Sequence, residues 1–372
     1  MKVSIVHDWF FEIAGSEKVV KQMLEIWPQA KLHAQFCKLD AAQIAQLGLP
    51  PVETTWLQHA PGIARFPSLY VPFMPLSIET LDVSSADVVI SSHHTAAKGV
   101  LTSPEQLHLC YCYSPLRAAW DLREEYLSKV PAPLRPLGRY ALHRLRRSEV
   151  QASFGVDHFI AISRFVAQRI SKYYRREATI IHPPAELDAY SVGAEKDDFF
   201  LCLGRLVRYK QAGMIVEAFR RMPNRRLVVI GEGEDAALLS RLAEGCPNIQ
   251  LMGRQPDDVV KDHLQRARAL VLASIEDFGL TTVEAQACGT PVIGYDRGGI
   301  RDIIVDPAHG LLYAQRGPAE IQQAVERFVE IESTFSAQAC AENAQRFSKD
   351  RFAERLRGVL DQQLDLTRER LN

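Results

Sequence analysis

The sequence has no apolar run approaching the roughly 20 residues that a membrane-spanning helix needs, so no spanning segment is expected. It also lacks charge of one sign: 44 basic and 45 acidic residues leave a formal −1. General nucleic-acid binding, which needs a basic surface, is therefore not expected. Cysteine is sparse and unpatterned, seven residues with Cys110-x-Cys112 as the only close pair. That is neither a zinc spacing nor a disulfide framework, and it predicts buried thiols in a reducing cytoplasm. No fixed-period repeat or low-complexity tract is present. No Asp-x-Asp occurs, and neither a metal nor another cofactor is expected. The start, Met1-Lys2-Val3-Ser4-Ile5-Val6-His7-Asp8, reads as a first strand rather than a signal peptide.

What is there is an α/β pattern long enough for two domains: 372 residues, 47% hydrophobic and 24% charged. The stretch from Leu270 to Gly299 organises the rest. Leu270 to Ala273 is a buried-strand run, Ser274 to Leu280 a loop, and a helix from Thr281 ends at Gly289 before Pro291 and the strand at Val292. Ligands in such units bind where loops leave the carboxyl ends of strands. Glu276 lies in that loop, beside the amides of Phe278, Gly279 and Leu280 that an anion could use. Glu284 has two readings, a capping box with Thr281 or a ligand contact. A carboxylate for sugar hydroxyls next to amides for a diphosphate sketches a nucleotide-sugar site.

Other elements fall around it. Lys2 to Val6 is the first strand, with His7-Asp8-Trp9 at its end and an amphipathic helix from Glu17 to Trp27 after it. His7 and Asp8 either face an acceptor or tie down the loop. No Gly-x-Gly-x-x-Gly follows that strand, which excludes a dinucleotide site there. Residues 50–80, rich in proline and aromatics, read as a long connection or broken helices along a cleft. Strands at Asp87 to Ser92 and Leu107 to Tyr113 come next. His93 and His94 point opposite ways, so one of them at most faces a site. Leu134 to Arg147 holds five arginines and no acid, on a helix expected to gather Leu137, Tyr140, Ala141 and Leu145 on one face. It is either a solvated helix or one that lies on an anionic membrane.

Phe159 to Ser163 is a strand whose Ser163 caps the helix Arg164 to Tyr174, and Asp188 to Asp198 reads as a linker. A second βα series opens with Phe199 to Leu203. Gly204 then allows close approach of a ligand, while Arg205 and Lys210 supply cations suited to a diphosphate and Arg208 adds charge. Gly231-Glu232-Gly233-Glu234-Asp235-Ala236 formally fits a dinucleotide fingerprint, but its three acids would repel a pyrophosphate. With Gly253 and Arg254 it is expected to border a base pocket instead. The domains expected are 1–190 and 191–349, with a terminal helix from about 350 to 372 packing back on the first.

Two motifs together resemble the retaining family-four glycosyltransferases of GT-B fold. These are Glu276-Asp277-Phe278-Gly279-Leu280-Thr281-Thr282-Val283-Glu284 and Gly204-Arg205-Leu206-Val207-Arg208-Tyr209-Lys210. Val6-His7-Asp8-Trp9, Ser91-Ser92-His93-His94-Thr95, Cys110-Tyr111-Cys112-Tyr113-Ser114-Pro115-Leu116-Arg117 and Ile162-Ser163-Arg164-Phe165 are similar to its mannosyltransferase branch. The resemblance implies two Rossmann-like, doubly wound domains facing across a cleft. It implies transfer of mannose from GDP-mannose to a polyprenyl-diphosphate-linked saccharide in O-antigen or exopolysaccharide synthesis. It gives the donor diphosphate to Arg205 and Lys210, the sugar hydroxyls to Glu276, sugar and phosphate to the amides of Phe278 to Leu280, and the ribose to Glu284. His94 is implied to face the donor sugar. Asp8, Gly15, Tyr113 and Arg117 fall on the acceptor side, where relatives often carry His for Tyr113 and Gly-Gly for Ala14-Gly15. The expected catalytic set is His94, Arg205, Lys210 and Glu276. The expected location is the cytoplasm, peripheral on the inner face of the membrane. A UDP-sugar donor and a GT-B nucleotide-sugar epimerase are the competing expectations.

Overall fold

A computed structural model describes residues 1–193 and 195–371. The chain divides into two units, Met1–Pro183 with Phe352–Asn372, and Pro184–Arg351. Each is built on a sheet whose pairings are all parallel.

In the first unit the strands are β1 (Val3–His7), β2 (Lys31–Ala34), β3 (Val52–Thr54), β4 (Val88–His93), β5 (Leu107–Cys112), β6 (His158–Ala161) and β7 (Ala178–Ile180), in the spatial order β3-β2-β1-β4-β5-β6-β7. β1, β4 and β5 are buried throughout. Helices on both faces account for this, and for strands that read as continuous apolar runs rather than alternating ones. The helix Gly15–Ile26 follows β1 and buries Val19, Val20, Met23 and Leu24. It starts two residues before the expected Glu17 because Glu17 reaches back to accept from Ala14 N–H at 3.0 Å. Ser163 caps the helix Arg164–Tyr174 as expected, accepting from Val166 N–H at 3.1 Å. The helix Lys349–Leu371 ends in this unit, with the Phe352 ring 5.7 Å from that of Tyr111 and Arg370 bonded to Asp157 at 2.9 Å.

The second sheet contains β8 (Phe200–Leu203), β9 (Leu227–Ile230), β10 (Ile249–Gly253), β11 (Leu270–Leu272), β12 (Val292–Tyr295) and β13 (Gly310–Tyr313), in the order β10-β9-β8-β11-β12-β13. Its core gathers Phe200, Ile215, Phe219, Val229, Val271, Ile293 and Phe328.

Three expectations need correction. Residues 50–80 are not simply a connection, because Val52–Thr54 joins the sheet edge before the 3-10 turns and the short helix Met74–Ile78. The helix Arg135–Ala152 forms and its positions 137, 140, 141 and 145 share one broad face, but that face is not covered as a unit. Leu145 and Glu149 are the buried pair and Leu137 and Tyr140 are exposed, because Val71, Leu116 and Ala119 cover the Leu145 side and leave the start of the helix uncovered. The cysteines are all free, but Cys37 and Cys246 are only half-buried.

Buried histidines make the first unit acid-sensitive. His108 sits between Gly155 O (3.1 Å) and Ser91 Oγ (2.9 Å), and burial lowers its pKa to about 4. Burial also lowers that of His93. The unfolded chain then binds more protons than the folded one below the ordinary histidine value. The stability is complete above about pH 6.5 and drains as pH falls toward the folded value. Urea unfolding should show wild type losing about 1.5 kcal/mol from this one group between roughly pH 6.5 and 5. The His108→Gln variant should show a visibly shallower dependence; an equally steep curve would contradict the assignment.

Candidate functional site

In each sheet the strand order reverses once, between β1 and β4 in the first and between β8 and β11 in the second. Loops from the two strands at such a point diverge and leave a crevice at their carboxyl ends. Asp8, His94, Gly204, Arg205, Lys210 and Glu276 lie in the loops that leave the strands at these two places, and the other residues singled out from the sequence lie on neighbouring strands or loops.

In the second unit, Gly204 and Arg205 follow β8, and Glu276 sits in the loop after β11. Lys210 Nζ lies 2.6 Å from Glu276 Oε1, an oxygen that also accepts from Ser274 Oγ at 2.6 Å. Both partners are partly solvent-accessible, so neither charge is sealed away. The two motifs thus meet side chain to side chain. Arg205 is exposed, with Nη2 donating to Tyr209 Oη at 3.2 Å. Arg208–Lys210 forms a single 3-10 turn, which lifts Lys210 toward the Glu276 loop.

The loops are held by close backbone contacts. Gly231 has φ +145°, and a Cβ there would lie 1.9 Å from Gly204 O. Gly231 N–H donates to Gly253 O at 2.8 Å, and Leu206 N–H to Glu232 O at 2.7 Å. Gly204, Gly231 and Gly253 therefore line up at the ends of β8, β9 and β10. Arg254 is strongly exposed and pairs with Glu232 at 3.2 Å, on the rim.

Gly279 is the residue before the helix Leu280–Ala287, with φ +105°. This left-handed start begins the helix one residue before Thr281, and the Thr281–Glu284 capping box does not form. Glu284 faces Tyr190 instead, whose hydroxyl is pushed up by burial and by the Glu284 charge beside it. Phe278 is buried against Phe347, rings 5.4 Å apart, so its backbone rather than its side chain is what remains for a ligand. Buried Gln286 fastens the helix through Nε2 to His309 O at 2.9 Å.

Sequence reasoning missed two parts of this site. Tyr190 fell in an assumed linker. Gly298-Gly299 supports the Glu276 loop, with Gly299 N–H donating to Glu276 O at 2.8 Å and a Gly299 Cβ falling 2.4 Å from the Phe278 Cα. The signal for the second was present as paired glycines after a strand.

In the first unit, Asp8 is fully buried and accepts backbone N–H groups from His94 (2.5 Å), Thr95 (2.8 Å), Ala96 (2.6 Å) and Ala97 (2.8 Å). Burial raises its carboxyl pKa, but His94, His93 and these donors outweigh that and hold it well below the usual range. Asp8 thus acts through the loop it holds, and His94, 27% exposed, reaches the surface. His94 packs edge-on to Trp9 at 4.6 Å, with Nδ1 2.9 Å from Thr95 Oγ1. Tyr113 Oη lies 2.9 Å from Ser92 Oγ and donates to Ser16 O at 3.2 Å, next to half-buried Gly15. His7 joins Ser92 Oγ (3.0 Å) to Glu17 (3.3 Å), all buried. Arg117 is half-buried and follows Leu116, whose N–H donates to Glu149 Oε2 at 3.1 Å. Glu149 also pairs with buried Lys98, and burial is outweighed by that cation, which brings its pKa down to about 2.

The comparisons with known proteins follow the same division. Residues 186–347 match the family glycosyl transferases group 1. The fold is GT-B. The Anabaena protein HepE in complex with UDP and glucose has TM-score 0.70 at 15% identity, covering 96% of this chain and 99% of that one. Sucrose-phosphate synthase from Thermosynechococcus elongatus has TM-score 0.73 at 16% identity, covering 98% and 99%. The D-inositol 3-phosphate glycosyltransferase of Geodermatophilus obscurus is 27% identical over 239 residues, 56% of this chain. The chain spans about half the length of that curated relative, 53%. In GT-B terms the Lys210–Glu276 pair lies within the group 1 segment, whereas the His94 and Asp8 cluster lies outside it.

Gly231→Ala should be costly despite adding one methyl group. The conformation is one that L-residues rarely adopt, and the obstacle is backbone, so a loss of about 2 kcal/mol or more is expected. Urea unfolding checks it, and a change under about 0.5 kcal/mol, the size of an ordinary surface substitution, would contradict the packing described.

Proposed function

We propose that this chain is a retaining, nucleotide-sugar-dependent hexosyltransferase. It would move mannose from GDP-mannose onto a lipid-linked or growing surface-polysaccharide acceptor at the inner face of the cytoplasmic membrane. The observation that carries the reading is the 2.6 Å contact between Lys210 and Glu276 at the switch point of the second sheet. A cation for a diphosphate and a carboxylate for sugar hydroxyls are held side by side, next to a helix start. The mannosyl assignment and the polyprenyl-diphosphate acceptor rest on the motifs of the amino-terminal half.

In the reaction, the bond from the anomeric carbon to the diphosphate oxygen breaks. A bond from that carbon to an acceptor hydroxyl oxygen forms on the same face, and the hydroxyl proton leaves with the diphosphate. Lys210, Arg205 and the amides near Gly279 offset the charge that grows on the leaving group. Glu276 orients the sugar, Glu284 the ribose, and Gly231, Gly253 and Arg254 border the base. In the first unit His94 serves the donor sugar, and Tyr113, Arg117 and Gly15 serve the acceptor, while Asp8 fixes the His94 loop. A UDP-sugar is the second reading for the donor, favoured by the HepE structure, which holds UDP and glucose.

A thermal-shift series with GDP, UDP, ADP and their sugars separates the donors. A ligand at roughly 100 times its Kd adds about 2.7 kcal/mol, so the cognate base should stand out. Lys210→Ala should abolish that shift and lower transfer by about 100- to 1,000-fold while the free protein melts near the wild-type temperature. Near-normal turnover in the variant would refute the assignment.

A further inference from the structure

The first unit exposes large apolar side chains on neighbouring elements: Leu69 (68%), Phe73 (52%), Leu76 (64%), Leu134 (53%), Leu137 (65%) and Tyr140 (59%). They belong to the 3-10 turn Pro67–Phe73, the helix Met74–Ile78, the 3-10 turn Ala132–Leu134 and the start of the helix Arg135–Ala152. Along the last of these, Leu145 is buried and packs with Leu142 and Val71, which sets the inward side. Residues 137, 140, 144 and 147 recur at three- and four-residue steps, so Leu137, Tyr140, Arg144 and Arg147 form one stripe on the other side. A groove lined by Pro72, Pro75, Leu76, Arg144, Arg147 and Gln151 brings Leu76 alongside both arginines, with Glu79 also on its wall.

The charge on this face is predominantly positive, with Glu79 as the acid on the groove wall. Residues 61–78 and 134–148 contain six arginines and no aspartate or glutamate. A protein interface also takes arginine and aromatics, but around a packed centre depleted of charge. Here arginines and large apolar side chains alternate along a single helix, the pattern of an element lying in the headgroup layer. Guanidinium groups there meet phosphates while apolar side chains reach the acyl boundary.

We infer that this face docks on a bilayer containing anionic phospholipid. The same helix carries Glu149, which pairs with Lys98 and accepts from Leu116 N–H, so the docking helix is fastened to the loops bearing His94 and Arg117. The inference rests on the surface alone and is read without any sugar transfer.

The test is co-sedimentation of the full chain with vesicles of phosphatidylcholine, alone or with about one-third phosphatidylglycerol. Binding should require the anionic lipid and weaken as salt is raised. Arg144→Glu with Arg147→Glu should lower affinity at least ~10-fold, and Leu137→Ser with Tyr140→Ser several-fold. All four side chains are exposed, and unchanged melting and nucleotide-induced shifts confirm that the variants are folded. Equal binding to both vesicle types, or none, would overturn the inference. So would a dimer in light scattering that Leu137→Ser with Tyr140→Ser converts to monomer, because the face would then belong to a second copy.

Discussion

Parallel pairing is the constraint from which the rest follows. A strand that pairs parallel to its neighbour cannot return through a hairpin, so each crosses back over a face of the sheet, and the crossovers share one handedness. Where the strand order reverses, adjacent strands send their connections to opposite faces, and the space between is left open. In the second sheet β8 and β11 meet at that place, and their loops carry Lys210 and Glu276. In the first sheet β1 and β4 meet there, and their loops carry Asp8 and His94. The chemistry is concentrated at two reversals of order.

Backbone approach then shapes the second crevice. A Cβ at Gly231 would collide with Gly204 O, and one at Gly299 with the backbone of Phe278. Removing these side chains lets three loops stack closely enough for Gly253, Gly231 and Gly204 to line the ends of neighbouring strands. The loop bearing Glu276 is held on its other side by the Gly299 N–H. The positive φ of Gly279 aims the helix start.

The first unit solves a different problem, keeping polar groups buried without losing their hydrogen bonds. Asp8 takes four backbone donors, and Glu149 takes Lys98, the Tyr174 hydroxyl and Leu116 N–H. A buried charge without such partners would be strongly destabilising, so these clusters hold each loop in one conformation. His94 is the member of its cluster that emerges, positioned by a carboxylate that never reaches solvent.

Much of this was legible along the chain because it is local. Apolar runs marked β4, β5, β9 and β11, Ser163 marked a cap, and the two motifs marked the loops that carry chemistry. What the chain left open or missed was also local in origin. Thr281-x-x-Glu284 has the form of a capping box, yet the glycine before it starts the helix first. Leu137 and Tyr140 share a broad helix face with Leu145, and only the neighbouring elements bury the one while leaving the others exposed. Tyr190, in a polar stretch, gave no sign that it would bury its hydroxyl against Glu284. The order of residues by itself determined the strands, the caps and the kind of group each loop presents, since these depend on neighbours a few positions away. Only the tertiary structure decided that Lys210 and Glu276, 66 positions apart, would share a bond, and which face of the arginine-rich helix would be left uncovered. Strand order and packing, which no local pattern encodes, govern both.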